Sequence, residues 1–200
     1  MSTAAAPVRS LGSLRSGTVL ADLLPSSRAR DIALVVGGAA LTGIAAQIAV
    51  PVPGSPVPVS GQTFAALLVG TALGARRGFL SLALYAVVGM AGVPWFAEAK
   101  SGFAMPSFGY ILGMLLAATV VGALARRGAD RSVLRTAGAM VLGSAVIYAV
   151  GVPYLAFATG MTLPQAIAAG LTPFLIGDAL KAALAMGALP ATWKLLGRKA

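Results

Sequence analysis

Six long apolar segments, separated by short polar or proline-rich connections, dominate the chain. Their approximate bounds are 32–50, 62–75, 79–92, 109–125, 133–155 and 173–193. An α-helix needs about 20 apolar residues to cross a hydrocarbon core of about 30 Å, and the second and third segments are shorter than this. The pattern predicts an all-α membrane protein built from transmembrane helices.

The distribution of basic residues supports six crossings. Of the 15 lysines and arginines, four precede the first segment, two join the second to the third, four join the fourth to the fifth, and three follow the sixth. A re-entrant pair formed by the second and third segments would place Arg76 and Arg77 in the membrane. Because Lys and Arg are enriched in cytoplasmic loops, we predict six transmembrane helices with both termini in the cytoplasm.

The domain organisation is simple. Residues 1–30 are rich in Ser, Ala and Arg and lack the apolar core of a signal peptide, so we predict a mobile cytoplasmic tail. Residues 31–200 form one transmembrane domain in the cytoplasmic membrane. The net charge of +10 is explained by orientation in the bilayer and by attraction to anionic lipid headgroups, without nucleic acid.

Asp178 and Lys181 are two charges within the last apolar segment. Positions i and i+3 share one face of a helix, and each charge at the bilayer centre costs roughly 2.5–3.5 kcal/mol. We predict that both face the protein interior as a substrate-binding pair. The alternative is an ion pair that only fixes the helix to its neighbours.

The composition excludes several functions. The chain has no Cys and no His, which removes thiol and imidazole chemistry and the usual zinc ligands, and Asp178 is the one acidic residue within a predicted span. We therefore predict no enzyme activity, no metal site and no cofactor. No Lys follows a Gly, so a phosphate-binding loop for ATP is absent and active transport needs partner subunits or another energy source.

The first outer loop, residues 50–63, carries prolines at positions 51, 53, 56 and 58 and no charge. Prolines favour an extended segment, which serves either as a stiff connector or as a lid over a ligand site. Gln62 and Thr63 close the loop and either face that site or cap the next helix.

The other outer loops offer weaker candidates. Trp95 is an interfacial aromatic or a ligand-stacking side chain, and Lys100 either pairs with Glu98 or meets an anionic ligand group. Thr162, followed by Pro164, predicts the start of a short interfacial helix. The first segment contains small-residue spacings that either serve internal packing or form a partner-docking face: Ala39 with Gly43, and Thr42 with Ala46.

Several blocks of the chain together resemble the BioY family, the substrate-binding (S) components of biotin transporters. They are Gln47 through the proline loop to Gln62-Thr63, Gly70 to Gly78, Tyr85 to Pro94, Pro106 to Gly113 with its Gly109-Tyr110 pair, and Pro173 to Lys181. The proline loop followed by Gln-Thr and the Gly-Asp-x-x-Lys block are specific in combination. The resemblance runs in order from about residue 30 to the end.

The resemblance implies the six-helix S-component bundle of energy-coupling-factor (ECF) vitamin transporters, with biotin as substrate and a transmembrane coupling protein and ATPase subunits as partners. It gives Asp178 and Lys181 a role in binding the vitamin, makes the proline loop part of a cover, and places Gly109 and Tyr110 at the pocket. It also assigns docking on the coupling protein to the small-residue face of the first helix.

Departures from the family pattern leave some assignments open. Ser60, Ser107 and Phe108 stand where other residues are usual, and the second outer loop is less glycine-rich and carries Glu98 and Lys100. Lys100 is therefore the candidate for the vitamin's carboxylate. Two other functions remain: an S component for a different vitamin, and a proton-coupled secondary transporter that uses Asp178 as proton carrier.

Overall fold

A computed structural model describes residues 17–197 of the chain. These residues form seven α-helices and one short β-hairpin. In chain order they are α1 (Arg28–Ala46), β1 (Ala49–Val50), β2 (Val59–Ser60), α2 (Gln62–Leu73), α3 (Ala75–Met90), α4 (Phe108–Arg126), α5 (Val133–Thr159), α6 (Leu163–Gly170) and α7 (Leu175–Gly197). The all-helical prediction is confirmed, and each of the six apolar segments corresponds to one α-helix, of which α2 is the shortest.

Local signals explain where the helices begin and end. Ser27 caps α1, since its Oγ accepts a hydrogen bond from the backbone N–H of Arg30 at 3.0 Å. Gly74 separates α2 from α3 with a φ of 83°, a value that glycine adopts without strain. The predicted short helix after Thr162 is confirmed as α6, where the Gln165 side chain accepts from the Thr162 N–H at 2.9 Å.

Four stretches of the described residues are long and apolar enough to cross a membrane. They are Arg28–Ala46, Phe108–Arg126, Val133–Thr159 and Leu163–Leu196, the last containing α6 and all of α7 except Gly197. At 12 residues α2 is short for a full crossing, and α3 has 16. Composition and length thus make these four stretches capable of crossing a membrane, while the number of crossings stays a prediction.

Helix α4 lies at the centre of the bundle and packs against α2, α3 and α5. Glycines allow the closest contacts: an added Cβ at Gly70 of α2 would lie 2.4 Å from the carbonyl oxygen of Ala118 on α4. By contrast, α7 packs mainly on α5 and leaves Ile176, Leu180 and Leu184 exposed on its outer face. The helix that carries Asp178 and Lys181 is thus a peripheral element of the bundle.

The proline loop is folded differently from the extended segment that the sequence predicts. Ala49 pairs with Ser60 and Val50 with Val59 in an antiparallel hairpin, and the N–H of Gly61 donates to the carbonyl of Ile48 at 2.9 Å. Two-residue strands are too short to give an alternating hydrophobic pattern. The hairpin bends the loop back over the ends of the helices.

Within the segment predicted as a tail, residues 17–22 pack on the bundle, residues 23–27 are exposed, and residues 28–30 already belong to α1. Val19 is fully buried, and the Arg126 side chain donates to the carbonyl of Gly17 at 2.9 Å. Asp22 accepts from Arg77 at 2.8 Å. Burial raises the pKa of Asp22, but hydrogen bonds from Arg77 and the Val19 N–H, with the charge of Arg126, lower it on balance. Residues 1–16 of the predicted tail lie outside the described residues.

Candidate substrate-binding site

Asp178 and Lys181 lie near the start of α7, and both side chains turn toward the other helices. Their side chains are 15% and 19% exposed, respectively, and Lys181 Nζ lies 3.3 Å from Asp178 Oδ1. Lys181 Nζ also donates to Thr63 Oγ1 on α2 at 2.8 Å. Two opposite charges that face the interior of an apolar bundle satisfy each other and limit the cost of their desolvation.

A third helix joins this pair through Tyr148 of α5. The Tyr148 hydroxyl donates to Asp178 Oδ2, and its ring meets the ring of Tyr110 edge to face, with centroids 6.4 Å apart. A polar chain therefore runs from Tyr148 through Asp178 and Lys181 to Thr63, and it links α5, α7 and α2.

An enclosed cavity lies directly against this polar chain. Its volume is about 20 Å³, which is room for roughly one water molecule. The hairpin forms its roof through Val57 and Pro58, both buried. The cavity is lined by Val57, Pro58, Ser60, Gln62, Thr63, Tyr110, Tyr148, Phe174, Asp178 and Lys181. We refer to it as the hairpin cavity.

A much larger open groove lies on the other side of Tyr148. It has a volume of about 640 Å³ and runs between α5, α6 and α7. Its walls are almost entirely apolar, and Tyr148 and Asp178 line both the groove and the hairpin cavity. We call it the lateral groove, because it opens to the side of the bundle between α5 and α7.

Three of the other predicted site residues stand at or beside the hairpin cavity. Gln62 is buried, and its Oε1 accepts from the Tyr85 hydroxyl at 2.9 Å. Tyr110 lines the cavity, and its hydroxyl donates to the Gly170 carbonyl at 2.8 Å. Gly109 contributes no lining, but its missing side chain makes room for Tyr154, whose Cβ lies 2.2 Å and whose ring Cγ lies 2.5 Å from where a Cβ of residue 109 would stand.

Trp95 and Lys100 lie outside the hairpin cavity. Trp95 packs on Tyr85, with ring centroids 5.3 Å apart, and its Nε1 donates to the Tyr85 carbonyl at 3.0 Å. Lys100 pairs with Glu98 at 2.6 Å, and half of its side chain is exposed. The structure thus gives Lys100 the exposed ion pair that the sequence left as an alternative.

The four residues considered for partner docking are buried inside the chain. Ala39, Thr42 and Ala46 are fully buried, and Gly43 lies against the ring of Trp95. Small side chains let α1 approach its neighbours closely, so these positions serve the internal packing named as the alternative. The outward face of α1 is formed by other residues: Ile32, Val36, Leu41 and Ile44.

Sequence reasoning missed Tyr148 and Phe174 as parts of the site, whereas Val57 belongs to the proline loop that was considered as its cover. Tyr148 carries one signal that would have marked it, since it is a hydroxyl-bearing side chain within an apolar stretch of α5. Its pairing with Asp178 depends on how α5 and α7, which are far apart in the sequence, are rotated where they pack together. A single sequence does not reveal that rotation. No group of three acidic, Cys or His side chains comes together between residues 17 and 197.

Biotin transporters from several organisms are similar in sequence to most of this chain. A biotin transporter from Lactococcus lactis is 32% identical over 164 residues, which is 80% of this chain and 88% of that protein. A probable biotin transporter from Pyrococcus horikoshii is 35% identical over 162 residues, or 80% and 93% of the two chains. A biotin transporter from Thermotoga maritima is 35% identical over 149 residues, or 73% and 85%. These relatives are named as transporters and not as enzymes.

A solved structure has the same fold. The crystal structure of the S-component for biotin from an ECF-type ABC transporter superposes with a TM-score of 0.75, covering 85% of this chain and 95% of that one at 20% identity. The model of the BioY family matches residues 17–198. The blocks that suggested this family from the sequence thus lie within a match to nearly the whole chain, and the protein belongs to the BioY family.

Proposed function

We propose that this protein binds biotin at high affinity and carries it across the cytoplasmic membrane as the S component of an ECF-type transporter. The observation that carries the proposal is the hairpin cavity, where Asp178, Lys181 and Thr63 meet under a proline-rich roof. The names of the relatives support biotin as the substrate.

The chemistry of the cavity suits a cyclic urea. A ureido ring presents two N–H donors and one carbonyl acceptor, and it matches a carboxylate that accepts beside an ammonium that donates. Asp178 takes an N–H group of the ring and Lys181 donates to its carbonyl oxygen. A site built on such partners rejects analogues that lack the matching group, because its own buried polar atoms are then left without hydrogen bonds.

The apolar parts of biotin need apolar walls and more volume than the hairpin cavity has. Val57, Phe174 and the ring of Tyr148 supply such walls. Ligand pockets typically measure about 300–1,000 Å³, against about 20 Å³ here. Binding therefore requires that the hairpin or the outer end of α7 moves away. Both are peripheral elements, and α7 packs mainly on α5.

The chain has no phosphate-binding loop of its own, so release of the vitamin driven by ATP requires partner subunits. We expect a transmembrane coupling protein with ATPase subunits. The outward face of α1 is the better candidate for docking, because the residues first considered are buried. A shallow groove of about 270 Å³ runs there between α1 and α2 and includes Ala33, Gly37 and Leu41.

Binding of radiolabelled biotin to the purified protein in detergent tests the proposal. We expect tight binding to the unchanged chain and its loss in Asp178→Ala and Lys181→Ala. The matched control is Lys194→Ala, which removes an exposed lysine from the far end of the same helix. Binding that survives in both Asp178→Ala and Lys181→Ala would contradict the assigned site.

Experiments on the same purified protein distinguish the two alternative functions. An S component for another vitamin would ignore biotin and bind a different member of a vitamin panel. A proton-coupled transporter would take up substrate in proteoliposomes in response to an imposed pH gradient, without ATPase subunits. Asp178 would then be its proton carrier, and its ion pair with Lys181 argues for a binding role instead.

A further inference from the structure

Tyr148 stands at the boundary between the hairpin cavity and the lateral groove, both of which reach Asp178. It lines both the hairpin cavity and the lateral groove. Its ring packs on Tyr110, and its hydroxyl donates to Asp178 Oδ2. The side chain thus separates a small cavity, which also contains Gln62, Thr63 and Lys181, from a large apolar groove, and it contacts the central carboxylate of the site.

The two oxygens of Asp178 have different partners. Oδ1 accepts from Lys181 on the same helix at 3.3 Å, which is a long contact. Oδ2 accepts from Tyr148, and among residues 17–197 this is the one side chain from another helix that donates to Asp178. Lys181 is also held by Thr63. The orientation of the carboxylate therefore depends on Tyr148.

We propose that Tyr148 is a positioning residue that sets the selectivity of the site for a ureido group. Its hydroxyl occupies Oδ2 and turns Oδ1 toward the ligand, so Asp178 accepts one specific N–H of the ring. Without the hydroxyl the carboxylate is free to rotate. The two N–H groups of the ligand then contribute more equally to the binding affinity. This inference rests on the proposed function, since it assigns a role within the biotin site.

The test compares Tyr148→Phe with the unchanged chain. We would measure the affinity for biotin and for two analogues, each methylated on one of the two ureido nitrogens. We expect biotin to bind Tyr148→Phe about tenfold more weakly, as for loss of a hydrogen bond to a charged group. The ratio between the affinities of the two analogues should shrink by a similar factor. A residue with only a structural role would weaken all three ligands alike and leave that ratio unchanged.

Tyr154→Phe is the matched control on the same helix. Its hydroxyl donates to the Phe103 carbonyl at 3.2 Å, and Tyr154 lines neither the hairpin cavity nor the lateral groove. It makes the same chemical change, so its affinity for biotin and its analogue ratio should equal those of the unchanged chain. An unchanged ratio in Tyr148→Phe would overturn the positioning role and leave the proposed function standing.

A measurement without ligand keeps the two proposals separate. If the unchanged chain ignores biotin, the proposed function fails. The thermal stabilities of Tyr148→Phe, Asp178→Asn and the double variant then decide whether Tyr148 holds Asp178. Non-additive losses would support the positioning role. Additive losses would overturn it.

Discussion

At the scale of single residues, the site rests on a short chain of polar contacts within an apolar bundle. Asp178 and Lys181 neutralise each other, but the groups that fix them come from other helices, Tyr148 from α5 and Thr63 from α2. A buried ion pair needs such additional hydrogen bonds, since the attraction of the two charges alone does not offset their desolvation. The contribution of each contact is open to measurement by substitutions that preserve shape.

Thr63→Val removes the oxygen that accepts from Lys181 while nearly preserving the volume of the side chain. We expect biotin affinity to fall by about tenfold, because the ammonium loses its fixed position and Lys181 is left with one partner. Equilibrium binding measures this loss. Thr192→Val is the control, since Thr192 lies at the other end of α7 and bonds only within its helix, to Ala188. Equal affinities in the two variants would contradict a role for Thr63 in holding Lys181.

The buried carboxyl group of Asp130, which lies away from the site, should make the stability of the folded protein depend on pH. It is almost fully buried and accepts from Trp193 Nε1 at 2.6 Å. Burial raises the pKa of Asp130, more than the hydrogen bond from Trp193 and the nearby charge of Arg131 lower it. The folded protein thus holds this proton more tightly than the unfolded chain does, and the stabilisation is lost as pH rises through the raised pKa.

The matched comparison is Asp130→Asn, which cannot titrate. As pH falls from about 7 to about 4, the melting temperature of the unchanged chain should move upward relative to that of Asp130→Asn, because only the former takes up the proton on folding. Thermal unfolding in detergent at a series of pH values measures the difference. A difference that stays constant over this range, or moves the other way, would show that Asp130 has no raised pKa.

At the scale of elements, glycines determine how closely the helices approach. Gly70 and Gly78 lie at the contact of α2, α3 and α4, where an added Cβ would meet backbone atoms. Backbone cannot move aside as the end of a side chain can. The short helices α2 and α3 therefore gain much of their stability from contact with α4.

Gly70→Ala should destabilise the protein by about 1–3 kcal/mol, as for overpacking of a tight interior. The new methyl group would lie 2.6 Å from the Cα of Ala118. Gly138→Ala on α5 provides the control, since nothing lies within 4 Å of its Cβ position and alanine favours the helix. Thermal unfolding compares the two variants, and similar melting temperatures would contradict the close approach of α2 to α4.

The sequence predicted these elements unevenly. Apolar length located the long helices to within a few residues, as with α4, because burial in a membrane demands continuous hydrophobicity. It missed the hairpin, since two paired residues on each side give no periodic signal. In the site, the pairing of Asp178 with Lys181 could be predicted, because both lie on one helix at a spacing that places them on the same face. The role of Tyr148 could not be predicted, because its contact with Asp178 depends on packing between helices.

At the scale of the whole molecule, the clustered arginines and the proline-rich loop lie at opposite ends of the bundle. Asp22, Arg77 and Arg126 gather at one end with the N-terminal segment. At the other end, Gln47 donates to the Trp95 carbonyl and the hairpin covers Thr63. This separation supports the predicted orientation, in which the basic end faces the cytoplasm.

Single cysteines test that orientation cleanly, since the chain has none of its own. Lys100→Cys lies in an exposed loop at the hairpin end, and Arg127→Cys lies in an exposed position at the basic end. We expect a membrane-impermeant maleimide to label Lys100→Cys on intact cells and Arg127→Cys only after permeabilisation. The reverse pattern would show that the protein has the opposite orientation. Labelling of both positions on intact cells would contradict an odd number of crossings between them.

The peripheral position of α7 has a consequence for how the protein is made. Because α7 follows the other six described helices in chain order, the ribosome has synthesised those helices before Asp178 and Lys181 emerge. Their partners Tyr148 and Thr63 belong to helices that are already available in the membrane. The two charged side chains, which are costly to insert, thus enter the bilayer after their hydrogen-bond partners have been synthesised. If Asp178 and Lys181 bind the vitamin as proposed, we expect a chain that ends before α7 to contain most of the bundle and yet to bind no biotin.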